Sequence, residues 1–279
     1  MSATSERTLG RAQRITVELP GRCVAAIRSG PADGTAVLLV PGYTGSKEDF
    51  GPILDPLGDA GVSVTAIDLP GQFESPGPAD PAAYGPDRLG ELVRAVAAQL
   101  GRPVHLLGHS FGGLVARAAA IAEPSAFASL VLLSSGPADL PGARRERIDQ
   151  LEPLLATSTP AQLYAAVLAA ERAQPGHVQP PPEVAEFLER RFLANSPAML
   201  KGMADALRSE PDRVAELAAT GIRTLVAHGE DDDAWPPAAQ SDMARRLGSG
   251  YAVIPAAAHS PAVENPSATV DVLLGFWRG

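Results

Sequence analysis

A glycine-rich hexapeptide between two apolar segments constrains the fold of this chain more than any other feature. Residues 108–113 read Gly-His-Ser-Phe-Gly-Gly, the apolar residues 104–107 precede them, and a helical pattern follows at residues 114–122. This order predicts a buried strand, a sharp turn and a helix, with Ser110 at the apex of the turn. The flanking glycines let strand and helix approach without Cβ clashes, which indicates an exposed nucleophile. A serine that only caps the helix is the competing interpretation.

Strands and helices are predicted to alternate along most of the chain. An opening hairpin is predicted at residues 15–28, around a Pro-Gly turn. The later apolar runs that predict strands are residues 35–40, 62–67, 104–107, 128–133, 223–227 and 251–254. Helical patterns separate most of these runs. We therefore predict an α/β fold, with a mostly parallel central sheet and helices on both of its faces.

The alternation stops between residues 137 and 220. This stretch contains only helical patterns, and a capping residue precedes a proline at three predicted helix starts, Thr159-Pro160, Ser196-Pro197 and Ser209-Glu210-Pro211. A helical insertion at this point would lie over the ends of the parent strands. We predict a core of residues 15–136 and 221–279, a helical cap or lid of residues 137–220, and a flexible tail of residues 1–14.

Composition narrows the classes of partner. The chain has 279 residues and a single cysteine, Cys23, so a large core needs no disulfide, and a cysteine metal cluster is excluded. The 23 Lys and Arg against 32 Asp and Glu give a net charge of −9, which argues against nucleic acid and membrane partners. We expect a soluble cytoplasmic protein that takes a small-molecule substrate and needs no metal or other cofactor. The sequence leaves the oligomeric state open.

A serine hydroxyl needs a base to accept its proton, and five histidines are candidates. His105 lies inside a predicted strand, His177 lies in the predicted lid, and His228 ends a strand. His109 is adjacent to the serine and is predicted to point away from its pocket. His259 is the histidine that combines a loop after a strand with a position late in the chain, so we predict that it is the base.

Four motifs at the ends of predicted strands carry a resemblance to a known family. They are Gly-His-Ser-Phe-Gly at residues 108–112, Asp-Leu-Pro-Gly at residues 68–71, Gly-Glu-Asp-Asp-Asp at residues 229–233 with Pro236, and His-Ser-Pro at residues 259–261 with Glu264-Asn265-Pro266. With these motifs the chain resembles the α/β-hydrolase fold superfamily, and within it a serine hydrolase with a helical cap. The order Ser, Asp, His is that of the family. The resemblance extends from about residue 15 to the end, except for the cap.

The resemblance also implies an acid and two oxyanion donors. The family's acid lies three residues after a glycine and four before a proline, which selects Asp232. The carboxylates that stay open as alternatives are Asp231, Asp233 and the more distant Asp139. The backbone N–H groups of Tyr43 and Phe111 would form the oxyanion hole. Residues 41–42 are Pro-Gly where many relatives have His-Gly, so a side chain that braces this loop is missing.

Apolar residues in loops at the same end of the sheet predict a substrate pocket. Phe73, Trp235 and Val263 are the candidates, together with Tyr43 and Phe111, so we expect a substrate with an apolar portion. We predict a serine hydrolase that cleaves a small carboxylic ester, a lactone or a related acyl compound through an acyl-enzyme.

Other hypotheses stay open within and beyond catalysis. A carbon–carbon bond hydrolase, an acyltransferase and a cofactor-free haloperoxidase-like enzyme are the alternatives among enzymes of this fold. A non-catalytic receptor for a small ligand is the alternative from another class. A dinucleotide site is excluded, because residues 108–113 lack the Gly-x-Gly-x-x-Gly spacing.

Overall fold

The computed structural model of the protein describes residues 10–101, 103–173 and 178–279. The predicted tail therefore lies mostly outside the described residues, and so does His177. The strands are β1 (Gln13–Leu19), β2 (Arg22–Ser29), β3 (Thr35–Val40), β4 (Val62–Ile67), β5 (Val104–His109), β6 (Phe127–Leu133), β7 (Thr224–Gly229) and β8 (Gly250–Ile254). They form one sheet in the order β1-β2-β4-β3-β5-β6-β7-β8.

The sheet is antiparallel at one edge and parallel elsewhere. β1 pairs with β2 and β2 pairs with β4 in antiparallel register, whereas all pairs from β4 to β8 are parallel. Parallel strands are covered on both faces, so their sequences are almost continuously apolar. In β3, Val37 and Leu39 pack on one face of the sheet, while Leu38 and Val40 pack on the other.

Helices cover both faces of this sheet. They are α1 (Gly51–Asp59), α2 (Pro86–Gln99), α3 (Phe111–Ala122), α4 (Gly142–Thr157), α5 (Pro160–Arg172), α6 (Pro182–Leu193), α7 (Pro197–Leu207), α8 (Val214–Ala219), α9 (Pro237–Leu247), α10 (Pro261–Glu264) and α11 (Pro266–Arg278). Short 3₁₀ turns occupy Lys47–Phe50, Pro81–Tyr84 and Pro124–Ala126. α1, α10 and α11 contribute to the apolar core on one face, and α2, α3, α8 and α9 to the core on the other. The predicted α/β fold is confirmed.

The helices α4 to α8 are inserted between β6 and β7, and the described part of residues 137–220 contains no strand. Two of the predicted helix starts agree with the structure. The hydroxyl of Thr159 accepts a hydrogen bond from the Gln162 N–H at 3.3 Å, and the hydroxyl of Ser196 accepts one from the Met199 N–H at 3.5 Å. These side chains satisfy first-turn donors at the beginnings of α5 and α7.

The third predicted helix start, at residues 209–211, is wrong. The carbonyl of Glu210 accepts a hydrogen bond from the Asp139 N–H at 2.8 Å, and its carboxylate binds the buried Arg117 guanidinium at 2.7 Å. These contacts hold the segment against residues that enter the insertion, so no helix begins there. α8 begins later, where the Asp212 carboxylate accepts a hydrogen bond from the Val214 N–H at 3.0 Å.

The inserted helices are buried to very different degrees. Met199, Leu200 and Met203 of α7 are almost completely buried in the core that lies against α2 and α3. By contrast, α4 and α5 each contain a single buried residue, Leu155 and Leu163 respectively. α7 is thus part of the main core, whereas α4 and α5 form a thin outer layer. No helix in the described part of the chain is long and apolar enough to cross a membrane.

Backbone strain marks one edge of the sheet. Among the described residues, the non-glycine positions with positive φ lie between +36° and +57°, and each follows the carboxyl end of a strand. They are Thr44 after β3, Phe73 after β4, Ser110 after β5, Ser134 after β6 and Ala256 after β8. Such conformations cost free energy and persist where surrounding structure imposes them, often at functional sites. The carboxyl edge of the sheet is therefore the place to look for a site.

Candidate active site

Ser110 lies on a strained turn between β5 and α3, with φ 55° and ψ −122°. The turn is tight because its glycines leave no room for side chains. A Cβ on Gly108 would lie 2.2 Å from the Gly112 carbonyl oxygen, and one on Gly112 would lie 2.4 Å from the Pro41 carbonyl oxygen. Only glycine fits at these two positions without a backbone shift.

His259 connects this serine to Asp232. The His259 Nε2 lies 2.9 Å from the Ser110 Oγ, and its Nδ1 lies 3.0 Å from the Asp232 Oδ1. The Asp232 carboxylate also accepts hydrogen bonds from the Ala234 N–H and the Gln240 side-chain amide, both at 3.0 Å. Burial opposes ionisation of Asp232, but the bond to His259 and these two donors outweigh it and lower its pKa.

The other candidate carboxylates lie elsewhere. Asp233 binds the guanidinium of Arg144, with Nη2–Oδ1 and Nε–Oδ2 distances of 2.6 and 3.0 Å. Asp139 accepts a hydrogen bond from Arg145 at 3.0 Å, and Asp231 is exposed. In the described part of the chain, Asp232 is the carboxylate that contacts His259.

The two predicted oxyanion donors lie on either side of the serine. Phe111 is the first residue of α3, so its N–H has no partner within the helix. Among the described residues, nothing accepts a hydrogen bond from the N–H of Tyr43 either. The loop that carries Tyr43 lies close to the serine, since a Cβ on Gly42 would be 3.0 Å from the Ser110 Cβ.

Two side chains hold this loop without the histidine that many relatives have. The Gln72 amide donates a hydrogen bond to the Gly42 carbonyl at 2.7 Å, and the Tyr43 hydroxyl donates one to the Leu200 carbonyl at 3.0 Å. Burial, together with the negative charge of Asp205, raises the pKa of Tyr43, so its hydroxyl stays protonated and can donate. Sequence reasoning missed Gln72, because a single glutamine in a loop carries no distinguishing signal.

A buried cluster of charged side chains also contacts the loop after β3. The Lys47 ammonium is fully buried and lies 2.7 Å from Asp68, 2.6 Å from Glu74 and 3.1 Å from Glu48. Arg14 of β1 binds Glu48 at 2.9 Å and Glu74 at 2.7 Å. We call these five residues the Lys47 cluster. Burial opposes the charge on Lys47, but the neighbouring carboxylates outweigh it and raise its pKa.

His109 does not point away from the site as predicted. Its Nε2 donates a hydrogen bond to the His259 carbonyl oxygen at 2.7 Å, and its ring lies 5.0 Å from the His259 ring. It also lines the cavity that contains Ser110. The turn at Ser110 rotates the backbone so that neighbouring side chains lie on the same side, which the alternation of a regular strand does not allow.

A cavity of about 580 Å³ opens above Ser110 and His259. Tyr43 and Val263 line it, as predicted. Most of its wall is apolar and comes from the inserted segment. Leu140 lies just before α4, and the helices supply Ile148, Leu151, Leu155, Leu163, Val167, Leu188, Phe192 and Leu207. A site of this size and polarity suits a small molecule with an apolar portion.

Three predicted pocket side chains lie outside this cavity. The Phe73 ring packs edge to face on Phe187 at 5.9 Å, because the positive φ of Phe73 turns it towards α6. Trp235 is 1% exposed, and its indole N–H donates to the carbonyl oxygens of Ala138 and Asp139. The Phe111 side chain is fully buried in the core, so this residue offers the cavity only its backbone.

Charged residues also line the cavity, and sequence reasoning did not anticipate them, except for Asp233 as an alternative acid. They are Asp49, Arg144, Arg147, Glu171, Arg191 and Asp233. Four of these lie on the inserted helices, where alternating charged and apolar residues look like any solvated helix face. In the described part of the chain, no group of three His, Cys, Asp or Glu side chains is arranged to hold a metal ion.

The chain is similar to known hydrolases over most of its length. The sequence model described as "Alpha/beta hydrolase family" matches residues 37–272. A protein of Variovorax paradoxus (strain S110) that bears the name carbamate hydrolase RutD is 35% identical over 214 residues, which are 73% of this chain and 76% of that protein. A pimeloyl-[acyl-carrier protein] methyl ester esterase of Aeromonas hydrophila subsp. hydrophila is 28% identical over 222 residues, 76% of this chain and 84% of that protein.

A solved structure with the same fold is the enol-lactonase from Burkholderia xenovorans LB400. It covers 95% of this chain and 100% of its own, with a TM-score of 0.78 and 20% sequence identity. At this identity the likeness concerns the fold alone.

Proposed function

Because the chain belongs to the alpha/beta hydrolase family, we propose that it cleaves a small carboxylic ester or a related acyl compound through an acyl-enzyme on Ser110. The family makes it a hydrolase that acts on small molecules. One observation carries the finer proposal: the continuous contact from Ser110 Oγ to His259 and from His259 to Asp232, at 2.9 and 3.0 Å. This is the arrangement that activates a serine hydroxyl.

Each residue of this contact has a distinct role in the reaction. The Ser110 Oγ attacks the acyl carbon while His259 Nε2 takes its proton, and a tetrahedral oxyanion forms. Collapse of this intermediate breaks the bond to the alcohol, which leaves with the proton from His259. His259 then takes a proton from a water that attacks the acyl carbon, and it returns this proton to Ser110 Oγ as the bond to the serine breaks and the acid leaves. Asp232 holds the Nδ1–H tautomer of His259 and stabilises the imidazolium that forms in each step.

The backbone supports the developing negative charge. The N–H groups of Phe111 and Tyr43 have no partner among the described residues, so they are free to donate to the oxyanion. Phe111 also begins α3, whose amino-terminal dipole favours negative charge at this point. Two preorganised donors of this kind stabilise the transition state by several kcal/mol. In other enzymes, one such donor contributes about 3 kcal/mol.

Residues 137–220 act as the cap in this proposal, and the core consists of residues 15–136 and 221–279. The shallow burial of α4 and α5 supports this division, because these helices supply much of the cavity lining but only Leu155 and Leu163 to the buried core. The apolar wall favours a substrate with a hydrocarbon portion on one side of the scissile bond.

A carbamate is a second candidate substrate. The relative that bears the name carbamate hydrolase is 35% identical to this chain, and the same serine chemistry cleaves an ester or a carbamate. The rates on an alkyl acetate and on the alkyl carbamate of equal length distinguish the two proposals. Turnover of the acetate with no turnover of the carbamate excludes the second.

Labelling with a fluorophosphonate tests the proposed nucleophile. We expect the wild-type protein to gain the mass of one phosphonyl group, because an activated serine attacks phosphorus and loses fluoride. The Ser110→Ala variant should gain nothing. Ser260→Ala is the matched control, since Ser260 also lines the cavity but has no hydrogen bond to His259, and it should label like wild type. Intact-protein mass spectrometry gives the answer.

The same reagent tests the assignment of the acid. Asp232→Asn removes the acceptor that holds the His259 tautomer, so the labelling rate should fall by about 10³-fold or more. Asp231→Asn should label at the wild-type rate, because that carboxylate is exposed and has no contact with His259. An unlabelled wild-type protein that also fails to hydrolyse nitrophenyl acetate would refute the enzyme proposal and favour a ligand receptor.

A further inference from the structure

Arg147 is a guanidinium on the cavity wall whose charge is not matched by a carboxylate. Its side chain is only 31% exposed and it lines the cavity with Ser110. The carboxylate oxygen nearest to it in the described part of the chain is Asp233 Oδ2, at 3.8 Å, which is too far for a hydrogen bond. A guanidinium carries five N–H donors, and no hydrogen bond from Arg147 occurs among the described residues.

Asp233 is already engaged by another residue. Arg144 donates to both of its carboxylate oxygens, at 2.6 and 3.0 Å. Burial opposes ionisation of Asp233, but the bonds from Arg144 outweigh it and lower its pKa, so the carboxylate is charged. Two guanidinium groups thus face a single negative charge, which leaves one unit of positive charge at this part of the cavity.

This charge lies at the end of the cavity that contains the reacting groups. Asp233 follows Asp232 directly, and its bond to Arg144 fixes the first turns of α4 beside the loop that carries the acid. The same face of α4 continues with apolar residues that line the cavity farther along the helix, Ile148, Leu151 and Leu155. The cavity therefore combines an apolar wall with a guanidinium beside Asp233, and the other charged residues that line it include the carboxylate of Glu171.

From these contacts we propose that Arg147 binds a carboxylate of the substrate, so that the preferred substrates are esters that carry a free carboxylate a few bonds from the scissile group. The planar guanidinium can donate one hydrogen bond to each oxygen of a carboxylate. The N–H groups of Arg147 make no hydrogen bond among the described residues, so they can donate to a substrate. The apolar residues of α4 contact the hydrocarbon chain between the two ends. This inference rests on the proposed ester hydrolysis and specifies the class of ester.

A pair of substrates of equal length tests the proposal. Monomethyl glutarate carries one carboxylate at pH 8, and dimethyl glutarate carries none; a pH-stat follows the hydrolysis of both. We expect the wild-type kcat/KM to be about tenfold or more higher for the monomethyl ester, as a hydrogen bond between charged groups at a partly exposed site would give. In Arg147→Gln the ratio of the two kcat/KM values should fall by about tenfold, whereas Arg147→Lys should keep part of it.

Arg145→Gln is the matched control. Arg145 lies on the same helix but binds Asp139 and Asp149 outside the cavity, so the ratio of the two kcat/KM values should stay at the wild-type value. Higher salt should reduce the preference of the wild-type protein for the monomethyl ester, because ions screen a partly exposed pair. A ratio that Arg147→Gln leaves unchanged would overturn the inference.

Binding to an inactive variant separates this inference from the proposed function. Titration calorimetry measures the Kd of monomethyl glutarate for Ser110→Ala and for the double variant Ser110→Ala/Arg147→Gln. We expect the Kd to be about tenfold higher for the double variant. Equal binding to the two proteins contradicts the role of Arg147, even if wild-type protein hydrolyses esters. A third outcome is also distinguishable. If the double variant binds more weakly but the wild-type protein hydrolyses neither ester, the anion site is supported and the proposed ester hydrolysis is refuted.

Discussion

His109 packs beside His259 and hydrogen-bonds to its backbone carbonyl, so it helps to hold the loop that carries His259. A carbonyl oxygen only accepts, so the hydrogen bond at 2.7 Å requires the proton on Nε2 of His109. Burial, and then the charge of His259, lowers the pKa of His109 from 6.5 to about 4. The ring is therefore neutral at pH 7 and donates to the His259 backbone. Its other charged neighbours, Asp49 and Asp232, favour protonation but do not outweigh these effects.

This shifted pKa predicts a pH dependence of stability. Between pH 6.5 and 4 the unfolded chain binds a proton at residue 109 that the folded chain does not, so the free energy of unfolding falls as the pH falls through this window. The loss assigned to this residue is about 2 to 3 kcal/mol, and above pH 6.5 the stabilisation is fully present. Urea unfolding at intervals of half a pH unit measures it.

His109→Gln isolates the contribution of this histidine. Glutamine places an amide N–H where His109 has Nε2–H but does not titrate, so the variant should lose about 2 to 3 kcal/mol less than wild type between pH 6.5 and 4. Parallel curves for the two proteins would mean that His109 titrates normally in the fold.

Single residues also show where sequence patterns are weak. Three consecutive aspartates gave no physical basis for choosing an acid, and only the family's spacing selected Asp232; the structure brings that carboxylate to His259. Phe73 and Trp235 were expected in the pocket because they lie in the right loops. Their side chains pack elsewhere, because the direction of a side chain in an irregular loop depends on φ and on neighbours that are distant in sequence.

At the scale of elements, the turn from β5 to α3 decides where the serine lies. The strand, the turn and the helix were all predicted from residues 104–122, because buried apolar runs and glycine positions are local signals. The neighbours of the turn are not local. Gly112 approaches Pro41 of the loop after β3, Gly113 approaches Ser135 after β6, and the Ser110 N–H donates a hydrogen bond to the Leu133 carbonyl at 2.9 Å. Three strands of the sheet must therefore be assembled before the serine turn reaches its strained shape.

Two glycines of this chain should respond to substitution in opposite ways. Gly108→Ala places a Cβ 2.2 Å from a carbonyl oxygen, so we expect a loss of several kcal/mol of stability, about 2 or more, and little turnover. Gly275 lies inside α11, and no atom lies within 4 Å of a Cβ added there. Gly275→Ala should therefore raise the free energy of unfolding by about 0.5 to 1 kcal/mol. Thermal unfolding of both variants gives the comparison; a stable Gly108→Ala would contradict the close approach.

At the scale of the whole molecule, the Lys47 cluster joins segments that are far apart in sequence. Arg14 belongs to β1, Lys47 and Glu48 follow β3, and Asp68 and Glu74 lie at the end of β4. The cluster holds the loop after β3, which carries Tyr43, against β1 at the antiparallel edge of the sheet. A buried ion pair contributes little when compared with apolar residues, but loss of one partner leaves an unpaired buried charge.

Lys47→Met should therefore be strongly destabilising. It leaves the buried Asp68 without its cation and Glu48 with Arg14 alone, so we expect the free energy of unfolding to fall by about 3 to 5 kcal/mol. Lys201→Met is the control, because Lys201 makes a partly exposed pair with Asp205 within one turn of α7 and should cost less than about 1 kcal/mol. Urea unfolding measures both. Equal losses in the two variants would show that the cluster is not a structural element.

The inserted segment is attached to the rest of the molecule at both of its ends. Its two ends meet at Arg117 of α3, which donates to the Pro137 carbonyl where the insertion begins and binds Glu210 near its end. α7 is anchored in the main core, and α4 and α5 remain above the cavity. The separate character of residues 137–220 stays a prediction, and so do their role as a cap and the roles of the site residues.

The sequence by itself determined the α/β fold and the strand boundaries within about two residues. It predicted Ser110 and His259, and for the acid it favoured Asp232 over Asp231, Asp233 and Asp139 by the family's spacing. These follow from local signals: apolar runs, capping residues, glycine positions and a family motif. Only the tertiary structure decided the neighbours of the site, namely Gln72, which contacts Gly42 beside Tyr43, His109, which contacts the His259 carbonyl, and Arg147 on the cavity wall. Their roles depend on contacts between residues 30 to 150 positions apart, and no local pattern encodes the side chain that another segment will present.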